Sequence, residues 1–225
     1  HTLFEQDWDE KLIKLLDEAR ELSPKPILTT YPIPFQFDEK GVAVKDVVGM
    51  EENNILYMLP VKDSKIAADN VSITFVADYI KATHNLAPGF QLAGGFMVCE
   101  GDFVNQVPYD PQLYFLGEEQ SLAARAYTHG WDIIHPCHTK IPLAHLYKRS
   151  GTDNAEHHGN ERYDTKRTER WYDLNNMSIR RLNSLLYSRR NLGAYGLGTV
   201  RTLDEFAEFS GIDYANLTVT RKYNP

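Results

Sequence analysis

The sequence predicts an α/β fold, a mixed sheet flanked by helices with a small helical C-terminal extension. Apolar repeats of helical period near 8–22, 117–129 and 175–189 alternate with short apolar runs of strand length. Gly, Pro and Asp separate these segments as turn formers. With 225 residues, 42% hydrophobic and 24% charged, the chain has the composition of one globular domain able to bury a core.

The first helix spans 8–22, where Leu12, Ile13, Leu15, Leu16, Ala19 and Leu22 recur at helical spacing. Asp9 and Glu10 fall in its first turn, where the helix dipole favours acids. Ser23-Pro24-Lys25-Pro26 ends it, because proline disfavours the helical conformation in the residue before it. Residues 27–31 form a short strand, and Pro32 and Pro34 argue against a regular central strand beyond it. Asp38-Glu39-Lys40-Gly41 is a hairpin turn leading into the alternating Val42 and Val44. Residues 46–70 carry no clear period.

Residues 90–99 read as a strand in which Gly94 and Gly95 allow close approach to the backbone. A helix over 117–129 turns Leu122, Ala123, Ala126 and Tyr127 inward, and strands follow at 131–134 and 141–147. Apolar residues nearly vanish over 150–170, which reads as a polar loop. A helix near 175–189 presents Met177, Ile179, Leu182, Leu185 and Leu186. A Gly-rich turn at 191–198 and a short helix at 203–209 complete the chain.

A net charge of −7 and a pI near 5.6 argue against a general nucleic-acid binder, although a local basic patch can still meet a diphosphate. Cys99 and Cys137 cannot form a disulfide framework, so both are expected free, which favours a reducing, cytoplasmic location. No apolar stretch approaches the length of a membrane span, and no signal-peptide pattern is present. The chain begins at His1 rather than Met, which suggests an upstream part.

Several constellations bear on chemistry. His135, His138 and His145, possibly with Cys137, are candidate zinc ligands of a hydrolase, or ordinary core and polar histidines. Glu118 and Glu119 open a helix, where acids stabilise the N-terminus by about 0.3–1 kcal/mol; they are also candidate catalytic carboxylates. Asp110, between Tyr109 and Pro111, is a turn residue or a sugar-hydroxyl ligand. Lys148 and Arg149 are a solvated pair or partners of a diphosphate. Trp131 is assigned to the core.

Read together, these segments resemble a known family. The order runs from Ala93-Gly94-Gly95-Phe96 through Val107-Pro108-Tyr109-Asp110-Pro111 to Leu116-Gly117-Glu118-Glu119. It continues with Thr128-His129-Gly130-Trp131-Asp132, His135-Pro136-Cys137-His138 and His145-Leu146-Tyr147-Lys148-Arg149. Trp171, Ser178-Ile179-Arg180-Arg181 and residues 197–203 extend the likeness towards the C-terminus. This pattern is similar to the peptide-directed GlcNAc-transferases, which place GlcNAc on hydroxyproline or Ser/Thr of proteins.

The resemblance implies a GT-A fold, with 1–149 as the C-terminal part of its catalytic domain, 150–170 as a loop or lid and 171–225 as a helical extension. It implies UDP-GlcNAc as donor, a polypeptide hydroxyl as acceptor, retention at the anomeric carbon, and Mn²⁺ or Mg²⁺ bridging the donor phosphates. His1-Thr2-Leu3-Phe4 followed by Trp8-Asp9 looks like the end of an Asp-x-His metal motif whose Asp lies upstream. The implied metal ligands are His1 and His145. Glu118 and Glu119 are the implied catalytic carboxylates, with Glu118 favoured to face the cleft. Gly94, Gly95, Asp110, Lys148 and Arg149 are the implied donor-binding residues. The uridine-gripping first half of such a domain is expected upstream of His1. A non-catalytic carbohydrate- or protein-binding module of the same fold is the principal rival reading.

Overall fold

The computed structural model describes residues 2–47, 50–81, 83–147 and 167–222. β1 (Thr2–Phe4) precedes α1 (Trp8–Arg20), β2 (Pro26–Thr29), β3 (Ile33–Phe37), β4 (Ala43–Lys45) and β5 (Asn54–Pro60). Next come β6 (Phe75–Lys81), β7 (Leu86–Gly89), β8 (Met97–Cys99), α2 (Asp102–Gln106) and α3 (Glu118–Thr128). β9 (Asp132–Pro136) and β10 (Leu143–His145) follow, then α4 (Trp171–Leu186), α5 (Leu203–Ser210), β11 (Ile212–Asp213) and β12 (Thr218–Val219).

The fold is mixed α/β. One four-stranded sheet has the order β7-β9-β2-β8, with β2 and β9 parallel and both edges antiparallel. A second has the order β1-β10-β3-β4, again with a parallel central pair. β5 and β6 form a long hairpin, and β11 and β12 a short ribbon. Helix α1 packs Leu12, Leu15, Leu16 and Ala19 against Leu28, Leu86 and Ile134. Ile13 lies outside that stripe and Leu22 lies beyond the end of α1, and both are exposed. Trp131 is buried beside Phe103 and Leu122, and both cysteines are free thiols. No helix among the described residues is long and apolar enough to cross a membrane.

Four local expectations need correction. Residues 90–96 form a loop rather than a strand. The Thr29 hydroxyl clamps this loop, accepting from Ala93 N–H at 2.9 Å and donating to Phe96 C=O at 2.9 Å. Pro34 sits inside β3, a central strand by sheet order. Its ladders are staggered: Ile33 and Pro34 are in register with β10 and Phe35 to Phe37 with β4, while Pro34 C=O also accepts from Asp46 N–H at 2.8 Å just beyond β4. Pro34 thus turns its backbone to the β4 side at the end of that ladder, where the missing N–H costs only the one reciprocal bond. The unassigned stretch contains β5, whose seven residues are all buried. A strand covered on both faces shows no alternation to read. Met177 is exposed, and α4 buries Ser178, Leu182, Leu185 and Leu186 instead.

The C-terminal helices share one core with the sheet region: Leu182, Leu185, Leu186 and Phe206 pack with Tyr57, Phe90 and Ala124. The Thr202–Glu205 capping box starts α5, satisfying two N-terminal donors reciprocally. A buried ion pair ties α4 to the loop before α3, with Arg181 Nε donating to Asp110 Oδ2 at 2.9 Å. Asp110→Ala leaves the Arg181 guanidinium without its carboxylate, and we expect a loss of about 3 kcal/mol. In a thermal melt that is a fall of roughly 6–12 °C for a domain of this size. A fall below about 2 °C would mean that the pair contributes little.

Candidate active site

Parallel strands β2 and β9 end together, and α3 runs antiparallel to β9, so its N-terminus meets their carboxyl ends. That is where ligands bind in many α/β folds. A cavity of about 250 Å³ opens there, lined by residues including Tyr31, Phe75, Gln91, Phe115, Glu118 and Glu119. Tyr31 arrives from the end of β2, Phe75 from the start of β6, and the two carboxylates from the first turn of α3.

The sequence constrains this turn closely. Gly117 caps α3 with φ 81° and lies against Leu182 of α4, where a Cβ would come within 2.7 Å of Leu182 Cδ2. Only glycine meets both the left-handed backbone and the crowding. Behind it, Tyr114 N–H donates to the Ser178 hydroxyl at 2.6 Å. With the Asp110–Arg181 pair, α4 thus fixes the loop that presents the carboxylates.

Glu119 Oε1 accepts from Gly94 N–H at 2.6 Å. A Cβ at Gly94 would sit 3.0 Å from Glu119 Oε1 and 3.3 Å from Glu118 Oε1, so glycine there lets the loop touch both acids. Glu118 Oε2 accepts from the Tyr109 hydroxyl. Burial, then the neighbouring Glu119 charge, pushes Glu118 up from 4.5 to about 7. Burial also raises Glu119, opposed by the Gly94 hydrogen bond. The neighbouring negative charge favours the protonated form of Glu118.

A raised carboxyl pKa lowers folding stability as pH climbs from the unfolded value to the folded one. For Glu118 that window runs from 4.5 to about 7. We expect Glu118→Gln to melt at the wild-type temperature near pH 4.5 and a few degrees higher at pH 8, a gain of about 1–2 kcal/mol after screening. An equal or lower melting temperature at pH 8 would contradict this assignment.

Behind the cavity, His138 bridges three elements. Its Nε2 lies 2.7 Å from the Tyr31 carbonyl and its Nδ1 2.9 Å from the Tyr79 hydroxyl. The carbonyl can only accept, so Nε2 carries the proton and Nδ1 accepts from Tyr79. His135 is fully buried, with Nδ1 2.9 Å from the Thr29 carbonyl, and burial pushes it down to about 4. His145 stands apart on β10, paired in register with Thr2. Its Nδ1 is buried with no hydrogen-bond partner among the described residues, and burial lowers its pKa. Its ring packs edge-on against Tyr147 at 4.6 Å, and the Tyr147 hydroxyl donates to the Pro32 carbonyl at 3.0 Å.

These positions sort the sequence candidates. Glu118, Glu119 and Gly94 converge at the cavity, and both carboxylates line it. Gly95 faces open space. Asp110 is buried, with Oδ1 accepting from Gln112 N–H at 3.0 Å and Oδ2 paired to Arg181, and it is not among the lining residues. The three-histidine zinc hydrolase is corrected: the nitrogens of His138 and Nδ1 of His135 are committed to backbone and hydroxyl partners. Among the described residues no three His, Cys, Asp or Glu side chains are grouped to hold a metal. His1, Lys148, Arg149 and residues 150–166 of the candidate lid lie outside the described residues.

Sequence reading missed Tyr31, Gln91, Phe115 and Thr29. Only Tyr31 had a signal, as the polar-tipped residue ending an apolar strand. No curated protein matches the chain. A family model described as Glycosyltransferase (GlcNAc) matches residues 1–216. The match takes in the cavity, the paired carboxylates and the α4 brace behind them, and the chain belongs to this family of GlcNAc glycosyltransferases.

Proposed function

We propose that the chain takes part in transferring GlcNAc from UDP-GlcNAc to a hydroxyl of a polypeptide, at hydroxyproline or Ser/Thr, in a GT-A arrangement. The carrying observation is the Glu118–Glu119 pair in a cavity walled by Tyr31, Phe75 and Phe115. A pyranose offers hydroxyls to carboxylates and an apolar C–H face to aromatic rings. Glu119, oriented by Gly94 N–H, accepts from sugar hydroxyls, and the neutral form of Glu118 donates to one.

In the reaction, the bond from the anomeric carbon to the phosphate oxygen breaks. A bond from that carbon to the acceptor oxygen forms on the same face, and the hydroxyl proton passes to the departing phosphate. No strong base is needed, in keeping with a site built to hold rather than to deprotonate. Lys148 and Arg149 follow Tyr147 directly and are assigned to the diphosphate.

His145 fits as one ligand of a divalent cation, because burial disfavours its charged form and its buried Nδ1 has no hydrogen-bond partner among the described residues. His1 is the second assigned ligand. Mn²⁺ or Mg²⁺ bound there supplies charge neutralisation for the leaving diphosphate. The test is mass-spectrometric detection of GlcNAc on hydroxyproline and Ser/Thr peptides, using the protein that carries this chain at its native length. Transfer from UDP-GlcNAc to either peptide is expected. Transfer only to small sugars or lipids would overturn the acceptor assignment.

A further inference from the structure

We propose that the acceptor polypeptide binds as an added β-strand along the free edge of β6, with its hydroxyl-bearing residue beside the Glu118–Glu119 cavity. The proposal rests on the polypeptide-acceptor reading above. β5 and β6 pair from Asn54↔Lys81 to Pro60↔Phe75, and the ladder continues as Val61 N–H donates to Thr74 C=O at 2.9 Å. Hydrogen-bonded pairs alternate along an antiparallel ladder. Thr74, Val76, Asp78 and Ile80 therefore turn their backbone groups to β5, and Ile73, Phe75, Ala77 and Tyr79 turn theirs to the opposite edge. β6 has no second strand on that edge among the described residues.

At the start of this edge a side chain stands in for a strand. Gln120 Oε1 accepts from Ile73 N–H at 3.0 Å, and its Nε2 donates to Val71 C=O at 2.9 Å. Its amide thus supplies one acceptor and one donor, as a paired strand would. The substitute stops at Ile73. No hydrogen bond among the described residues reaches the outward backbone groups of Phe75, Ala77 and Tyr79.

The edge becomes free where the cavity begins, because Ile73, Thr74 and Phe75 line that cavity together with Glu118, Glu119 and Gln120. An unpaired edge is a template for an extended chain. Main-chain bonding along such an edge is a known way to hold peptides with little dependence on their sequence. A polypeptide is the occupant that presents N–H and C=O groups at the spacing this edge requires.

Proline at position 77 tests the edge without touching the β5 ladder. Ala77→Pro removes an outward N–H and projects a ring into the added-strand position, where edge strands tolerate proline. The expected result is a rise of about tenfold or more in KM for the acceptor peptide. Hydrolysis of UDP-GlcNAc without acceptor and the far-UV circular dichroism should be unchanged. Ala77→Val keeps the N–H and should keep the wild-type KM.

Backbone N-methylation of the acceptor peptide provides a second reading that needs no enzyme variant, so it decides the matter if Ala77→Pro fails to fold. Methyl groups should weaken transfer at every second position near the modified residue. Wild-type KM in folded Ala77→Pro, or N-methyl sensitivity without alternation, overturns added-strand binding and leaves GlcNAc transfer standing. Failure of the wild-type protein to modify any peptide overturns the acceptor reading itself, and with it this proposal.

Discussion

Glu119→Gln is expected to lower GlcNAc transfer by two to three orders of magnitude while the protein remains folded. The Gln carbonyl can still accept from Gly94 N–H, the bond that orients the native side chain. Its amide nitrogen would then face the cavity, placing a donor where the proposed role has a carboxylate oxygen accepting from a hydroxyl. Glu118→Gln behaves differently, because burial and the adjacent acid already push Glu118 up to about 7. Glutamine mimics its protonated form, so the loss should stay within about tenfold at pH 6.

The wild-type rate should then fall as pH rises past about 7, where Glu118 gives up its proton, and Glu118→Gln should flatten that limb. A rate that climbs through the same range would assign the charged form of Glu118 to the work instead. Normal transfer by both variants and by the double variant would reduce the pair to helix-terminal acids.

His145→Ala is the second large effect expected, a loss of at least about a hundredfold in transfer accompanied by weaker Mn²⁺ activation. His145 Nδ1 and His135 Nε2 are both buried with no hydrogen-bond partner among the described residues, but His145 stands on β10 in register with Thr2, whereas His135 Nε2 is packed against Gly89. His138→Ala removes a brace behind Tyr31, and His135→Ala opens a cavity beside Thr29. Both should act through stability, with catalytic losses within about tenfold in the fraction that folds. EDTA should abolish wild-type activity and added Mn²⁺ restore it. Full turnover in chelator would falsify the metal assignment, and equal catalytic losses for all three histidines would revive a shared site.

Much of the scaffold was legible because its signals are local. The α1 stripe, the Asp38–Gly41 hairpin and the Gly117 helix start each depend on neighbours within a few residues. The Glu118-Glu119 and Gly94 motifs could be singled out for the same reason. Strand β5 could not, since burial on both faces erases the period that marks a strand.

What the sequence by itself determined is the α/β class, the presence of the main helices and the chemical types gathered around residues 94–149. Tertiary structure alone decided which of those residues meet. It brought Gly94 against Glu119 across 25 positions and Tyr31 to the same cavity, and it drew Asp110 away into a pair with Arg181, 71 positions distant. It also separated three histidines that lie within eleven residues of one another in the sequence. Hydrogen-bond partners and desolvation set the role of a polar side chain, and both are fixed by packing between distant segments, to which local spacing carries no signal.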